Sequence, residues 1–251
     1  MLLPEYDRSC YLVNMPGRKQ RADGERTREA IVREAVSLAT LDGLEGLSIG
    51  NLAGALDMSK SGIYAHFGSK EDLQLATVDE AGRIFRAEVI EPALAAAPGL
   101  GQLVAICDAF FDHLERRTFP GGCFFAGAVL EMGARPGPVK EQIAAFQNRL
   151  SALIREFVVT ALEQHELPAD ENPDALTFEV NGIILAANSN FVLGGGAGAL
   201  DMARNIIRRR LGVATATTPP PPTTRNKSRR SRRPARDAAG PSSTPALGSR
   251  H

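Results

Sequence analysis

The sequence predicts an all-α chain of about nine helices, and three observations carry that prediction. Alanine and leucine are abundant, while the Val/Ile/Tyr/Thr alternation of half-buried strands is scarce. Apolar residues recur instead at helical spacing, as in Ile31, Ala35 and Leu38. Ser, Asp, Gly and Pro punctuate these runs where helices start and stop. With 43% apolar residues in 251, the chain can bury a sizeable core.

Residues 1–24, with Pro4, Pro16, Gly17 and Gly24 scattered among charges, are expected to form a flexible basic arm. Met15 competes with Met1 as the start, because MPGRKQRADGER reads as an arm better than the residues before it. A helix is expected from Glu25, closed by Gly43 as a left-handed cap. Ser48 caps a short helix whose inner side is Ile49, Leu52, Ala53 and Leu56. Asp57-Met58 make a tight turn, and Ser59 caps a second short helix through Phe67. Ser69-Lys70-Glu71-Asp72 is a capping box; it opens a long helix towards Glu91, where Pro92 bends or ends it. Further helices are expected at about 100–117, 123–133, 138–166, 172–193 and 197–211. PGG at 120–122 and RPGP at 135–138 are the strongest breaks between them. From 213 to 251 a TATTPPPPTT run and a Ser/Arg/Pro stretch cannot bury a core, and a disordered tail is expected.

The net charge is zero, but its distribution is uneven. Residues 213–251 hold eight Arg/Lys against one acid, and the other 212 residues hold 21 bases against 28 acids. The tail could add unspecific attraction to DNA, or be a solvated extension without a role. The sequence contains no run of 18 apolar residues and no cationic start followed by a long apolar stretch. Neither a membrane segment nor a secretory signal is therefore expected, and the odd count of three cysteines suits a reducing, cytoplasmic setting. Cys107, His113 and Cys123 fit no metal-ligand spacing, and GGGAG at 194–198 lacks the strand and Lys-Ser/Thr of a phosphate loop. With no nucleophile–base signature either, no catalytic residue, cofactor or metal is expected, and the chain reads as a non-enzyme.

Residues 48–72, SIGNLAGALDMSKSGIYAHFGSKED, place two short helices around a tight turn after a longer helix, which is a helix-turn-helix arrangement. The second helix opens with Ser59, Lys60, Ser61 and Gly62, small or cationic groups that can approach base edges. Tyr64 and His66 follow, with O–H and N–H donors suited to phosphate oxygens. Lys70 adds a cation at the start of the next helix. Taken singly, Tyr64 or His66 could equally be a packing or surface residue, and Phe67 reads as core. The ordered string is what favours DNA.

That string resembles the DNA-binding domain of the tetracycline-repressor (TetR-type) transcriptional regulators. The resemblance covers roughly 50 residues without a gap: Thr27-Arg28-Glu29 opening helix 1, Gly43 closing it, Leu52-Ala53, Tyr64-x-His66-Phe67 and Lys70-Glu71-x-Leu73. It implies a homodimeric, all-helical repressor of palindromic double-stranded DNA with an effector pocket in its C-terminal part. It also implies phosphate roles for Thr27, Tyr64, His66 and Lys70 and base-proximal roles for Lys60 and Ser61, with Arg28, Ser48, Ser59 and Gly62 alongside. Two departures stand out. Asp57 occupies the turn where the family often has Gly, and Gly50 stands where a longer polar side chain is common.

The implied organisation is a DNA-binding domain at 25–71 and a helical effector and dimerisation domain at 72–212. Residues 73–212 carry 12 bases against 17 acids, so this part is not expected to face DNA. Its apolar residues are mostly ordinary core; a subset from Phe85, Leu103, Cys107, Phe110, Phe111, Phe125, Phe146 and Phe178 could line a pocket for an unidentified small molecule. Cys123, at a helix start, reads either as a reactive thiol or as a small buried residue. The last two helices are expected to pair with those of a second copy, and binding of DNA implies association with the nucleoid.

Overall fold

A computed structural model describes residues 16–214, with side chains from Ala22 onward. Among these residues there is no strand; ten α-helical segments follow one another, and two pairs of them are joined through π-turns. They are α1 (Pro16–Asp42), α2 (Ile49–Ala55), α3 (Lys60–His66), α4 (Lys70–Phe85), α5 (Glu91–Leu94) and α6 (Leu100–Glu115), then α7 (Phe124–Met132), α8 (Pro138–Glu163), α9 (Pro173–Asn190) and α10 (Gly196–Arg210). The expected flexibility of 1–15, the choice between Met1 and Met15, and the role of the tail beyond Ala214 lie outside the described residues.

The expected arm needs correction over 16–24, which already form the first turns of α1. Pro16 is tolerated in a first turn, and a single Gly24 in an otherwise helix-favouring run costs only about 1 kcal/mol. Thr27 Oγ1 donates to the Asp23 carbonyl at 2.9 Å, and Arg26 pairs with Asp23, so Gly24 is bridged rather than broken.

The three serine caps are formed. Ser48, Ser59 and Ser69 each sit in extended backbone and accept a hydrogen bond from Asn51 N, Gly62 N and Asp72 N respectively. The Ser69 hydroxyl in turn donates to the Asp72 carboxylate at 2.8 Å. Asp57 adopts the left-handed conformation at φ 51°, so the turn forms without the family's glycine. Ile31, Val36, Leu47, Leu52, Ile63, Phe67 and Leu73 converge in a core that seats α2 and α3 on α1 and α4. Each such burial stabilises by about 1.5–3 kcal/mol.

Pro92 neither ends the helix nor bends it alone. The chain widens into a π-turn at Arg86–Ile90, with Glu91 N bonded to Arg86 O, and α5 carries Pro92 in its first turn. The wider turn moves the carbonyl that the proline ring would strike.

Helices α6 and α10 are tied by charge. Arg204 lies over the Phe111 ring at 5.3 Å and bonds Asp112 at 2.7 Å, while Arg208 meets Asp108 at 2.5 Å. The stretch Pro173–Arg210 is long and apolar enough, by length and composition, to cross a membrane; only 22% of its most apolar window is buried. This refines the expectation drawn from the missing apolar run. The apolar residues form two stripes: Leu176, Val180, Ala187, Leu200 and Ile207 pack inward, while Phe178, Leu185, Val192, Leu193, Met202 and Ile206 are exposed.

Candidate nucleic-acid interface and effector cavity

Helix α3 is divided lengthwise. Ile63 and Phe67, four residues apart, are buried at 0% and 2% exposure, whereas Lys60, Ser61 and Tyr64 face outward, Tyr64 at 55%. The Ser59 hydroxyl caps the helix through Gly62 N at 3.0 Å and meets the Ser61 hydroxyl at 3.1 Å. Lys60 reaches across to α2, where it passes over Gly50 beside Ser48. At the other end of α3, His66 is half-buried, and the Arg28 guanidinium stands 5.0 Å over the Phe67 ring. Thr27 is also half-buried, its hydroxyl turned to its own helix. Lys60 and Ser48 thus meet where α3 opens, Arg28 and His66 lie by its other end, and Ser61 and Tyr64 are exposed along it.

Lys70 is engaged elsewhere. Its ammonium donates to the Glu45 carbonyl at 2.6 Å and lies 3.3 Å from the Glu45 carboxylate, clasping the α1–α2 loop. These Lys70 contacts hold the Glu45 carboxyl below its ordinary range, with help from Gln74 and Arg135.

A second site lies deeper. A cavity of about 500 Å3 opens among α4, α6, α7, α8 and α9. Phe85, Phe110, Phe125 and Phe146 line it, with Phe178 on its wall although that ring is 80% exposed. Phe125 and Phe146 stack at 3.6 Å with their planes 5° apart, and Phe85 meets both edge-on. Leu103, Cys107 and Phe111 do not line this cavity; all three are buried in packing, Phe111 beneath Arg204. Adjacent residues on a helix point about 100° apart, and here Phe110 faces the cavity while Phe111 turns towards Arg204. Sequence reasoning missed Lys140, Ile143, Gln147, Asn148, Ser151 and Asn181 on the lining. The repeat Ile143, Phe146/Gln147, Leu150/Ser151, Ile154 at helical spacing was the available signal for the α8 wall.

Cys107 and Cys123 are both free and buried. Burial pushes the Cys107 thiol up to about 12, with Asp108 adding to it. Burial also raises Cys123 more than its nearby helix N–H groups lower it, which overturns the reactive-thiol alternative.

The cavity is wired to the first helices through α7. Glu131, beside the lining residues Leu130 and Met132, accepts Leu44 N at 2.7 Å and Glu45 N at 2.8 Å. Outside the lining, Glu88 in the π-turn accepts from His113 Nδ1 at 2.7 Å and Thr118 at 2.9 Å. Burial holds His113 below its ordinary pKa despite the Glu88 carboxylate; burial raises Glu88, but the His113 and Thr118 bonds outweigh it and the net direction is down.

Comparison with known proteins matches both parts of the chain. Residues 31–77 match the family described as bacterial regulatory proteins, tetR family, and residues 99–207 match the tetracyclin repressor-like C-terminal domain. The transcriptional regulator AcuR of Cereibacter sphaeroides is 27% identical over 161 residues, 61% of this chain and 71% of AcuR. Among solved structures, a TetR transcriptional regulator from Chloroflexus aurantiacus superimposes with a TM-score of 0.71 at 25% identity, covering 76% of this chain and 96% of that one. AibR, solved with isovaleryl coenzyme A and operator DNA, shares the fold at a TM-score of 0.60 and 23% identity, over 72% of this chain and 97% of AibR. With both its first helices and its C-terminal helices matched in order, the chain belongs to the tetracycline-repressor (TetR) family of bacterial transcriptional regulators.

Proposed function

We propose that this protein is a homodimeric repressor that grips a palindromic operator with two copies of α3 and releases it when a small apolar molecule fills the phenylalanine-lined cavity. The observation that carries this reading is the division of α3, whose buried Ile63 and Phe67 hold Lys60, Ser61 and Tyr64 outward. In this reading residues 25–71, with the turns of α1 before them, form the DNA-binding domain, and 72–212 the effector and dimerisation domain. Lys60 and Ser61 approach base edges in the major groove. Tyr64, His66, Thr27 and Arg28 meet phosphates, with Ser48, Ser59 and Gly62 fixing the helix ends near the backbone. Lys70 reaches a phosphate only by loosening its hold on Glu45.

The outward apolar stripe of α9 and α10 pairs with its equivalent on a second copy, setting two α3 helices about one DNA turn, ~34–36 Å, apart. A ligand that fits better when α7 is displaced draws Glu131 away from Leu44 and Glu45 and tilts α2 and α3 off that spacing. The pairing of a ligand with operator DNA in the AibR structure supports such a link on this fold. The protein acts in the cytoplasm, on the nucleoid, by binding rather than turnover.

Footprinting on DNA flanking the protein's own gene tests the proposal. The expected result is a protected palindrome with half-sites one helical turn apart. No protection at moderate salt would overturn it.

A further inference from the structure

We infer that the effector is an apolar molecule ending in an anion, of the carboxylic acid class, and that Lys140 receives the charge. The inference rests on the effector-cavity reading above and adds the ligand's chemistry. Among the described residues that line the cavity, Lys140 alone is charged, and no Asp or Glu faces the space. Lys140 is half-buried and makes no ion pair with any described residue.

Placement reinforces the charge. Lys140 is the third residue of α8, a helix of 26 residues, so its ammonium stands where unpaired helix N–H groups also favour negative charge. Along the same helix Gln147, Asn148 and Ser151 line the cavity beside Phe146, which belongs to the phenylalanine cluster. The lining therefore combines one cation and several hydrogen-bonding side chains with an aromatic cluster. A carboxylate with an alkyl or aryl body complements both; a cation or a uniformly neutral molecule leaves the half-buried ammonium without a partner.

The neighbouring groove between α4 and α8 offers Arg83, Arg86 and Arg149, yet it is the weaker anion site. Asp79 and Glu156 line it too, Arg83 is held by Glu80 at 2.7 Å, and Arg86 lies 3.5 Å from Glu91.

Calorimetric titration of the full-length protein with medium-chain alkyl and aryl carboxylic acids, each beside its own primary amide, tests the assignment. At least one acid is expected to bind roughly tenfold or more tightly than its amide. Lys140→Gln is expected to bring that acid down to the amide's affinity, and Lys140→Arg to retain the preference. Arg149→Gln is expected to change neither. Equal affinity of acid and amide, a preference that survives Lys140→Gln or follows Arg149, or no binding by any member of the series overturns the inference. An amide that binds as well as its acid and still releases DNA leaves the effector-released repressor intact while removing the anion. Lys140-dependent acid binding that never alters DNA affinity has the opposite meaning: the site stands and the release does not.

Discussion

The side chain of Lys60 lies across Gly50: a β-carbon on the glycine would stand 3.5 Å from the lysine Cε and 3.6 Å from Nζ, with the Ser48 hydroxyl at 3.8 Å. The space that a side chain at position 50 would enter is therefore occupied from the other helix.

That relationship predicts a split between two substitutions at one site. Gly50→Ala keeps ordinary contact distances and, inside α2, should stabilise the fold by about 0.5–1 kcal/mol without altering DNA preference. Gly50→Leu must push Lys60 aside, and should shift the preferred operator bases much as Lys60→Ala does. Selection from random DNA with the three variants reads this directly. A Lys60→Ala protein with unaltered preference would remove Lys60 from the base contacts.

Tyr64 makes the complementary case. It is exposed on α3 and its hydroxyl has no partner among the described hydrogen bonds; in the proposed function it donates to a phosphate. Tyr64→Phe should weaken operator and random DNA by the same factor, about three- to tenfold, as the loss of one hydrogen bond implies. A loss confined to the operator would make Tyr64 a reader of bases instead.

Glu131 is the predicted relay. Its carboxylate accepts two backbone N–H groups at the α1–α2 turn, and Gly43 approaches it so closely that a β-carbon there would stand 2.8 Å from Oε1. Gly43 also sits at φ 81°, so Gly43→Ala combines a clash with backbone strain and should cost more than about 1 kcal/mol in thermal or chemical unfolding. Glu131→Gln can accept only through its one amide oxygen. It should fold, bind DNA, and respond less to any effector; full release in that variant would break the relay.

How much of this was legible follows from range. The Ser48, Ser59 and Ser69 caps and the Gly43 and Asp57 turns depend on residues at most four apart, and they formed where the sequence placed them. Pro92 reads from sequence as a bend or an end because the π-turn that accommodates it is a property of the five residues Arg86–Ile90, none of which signals it. In the cavity, Phe85, Phe110, Phe125, Phe146 and Phe178 were found by residue type, while Leu103, Cys107 and Phe111 were not separable from them. Which side of α6 faces α10 is decided by Arg204 and Asp112, some 92 residues apart. Lys140 escaped notice for the same reason: a lysine in a first helical turn reads as solvated until α7 and α9 close around it.

His113 predicts a pH dependence. Its folded pKa lies below the ordinary 6.5, so the folded protein favours the neutral ring more than the unfolded chain does. Stability is therefore complete above about pH 6.5 and falls as the pH drops from there towards the folded pKa. Glu88, also depressed, adds a second loss only below its ordinary 4.5. Unfolding midpoints between pH 7.5 and 5.5 should decline in the parent and decline less in His113→Gln. Equal slopes would show that the buried ring is not the titrating group.

The exposed stripe on α9 and α10 predicts the assembly. Leu193 is 87% exposed and Met202 65%, on helices whose opposite faces are already packed against the body. Side chains of this kind, contiguous over two helices, are costly to leave in water and mark a surface that meets a partner. Leu193→Asp with Met202→Asp puts charge where apolar groups would meet, without touching a buried residue or the cavity. The variant should keep its fold by circular dichroism, sediment as a monomer, and lose operator affinity far more steeply than Tyr64→Phe. The steepness follows from the proposed function: with each α3 on one half-site, uncoupling the two forfeits the high effective concentration that binding the first confers on the second. A dimer that survives both substitutions would assign the two-fold contact to another face and leave the stripe without a role.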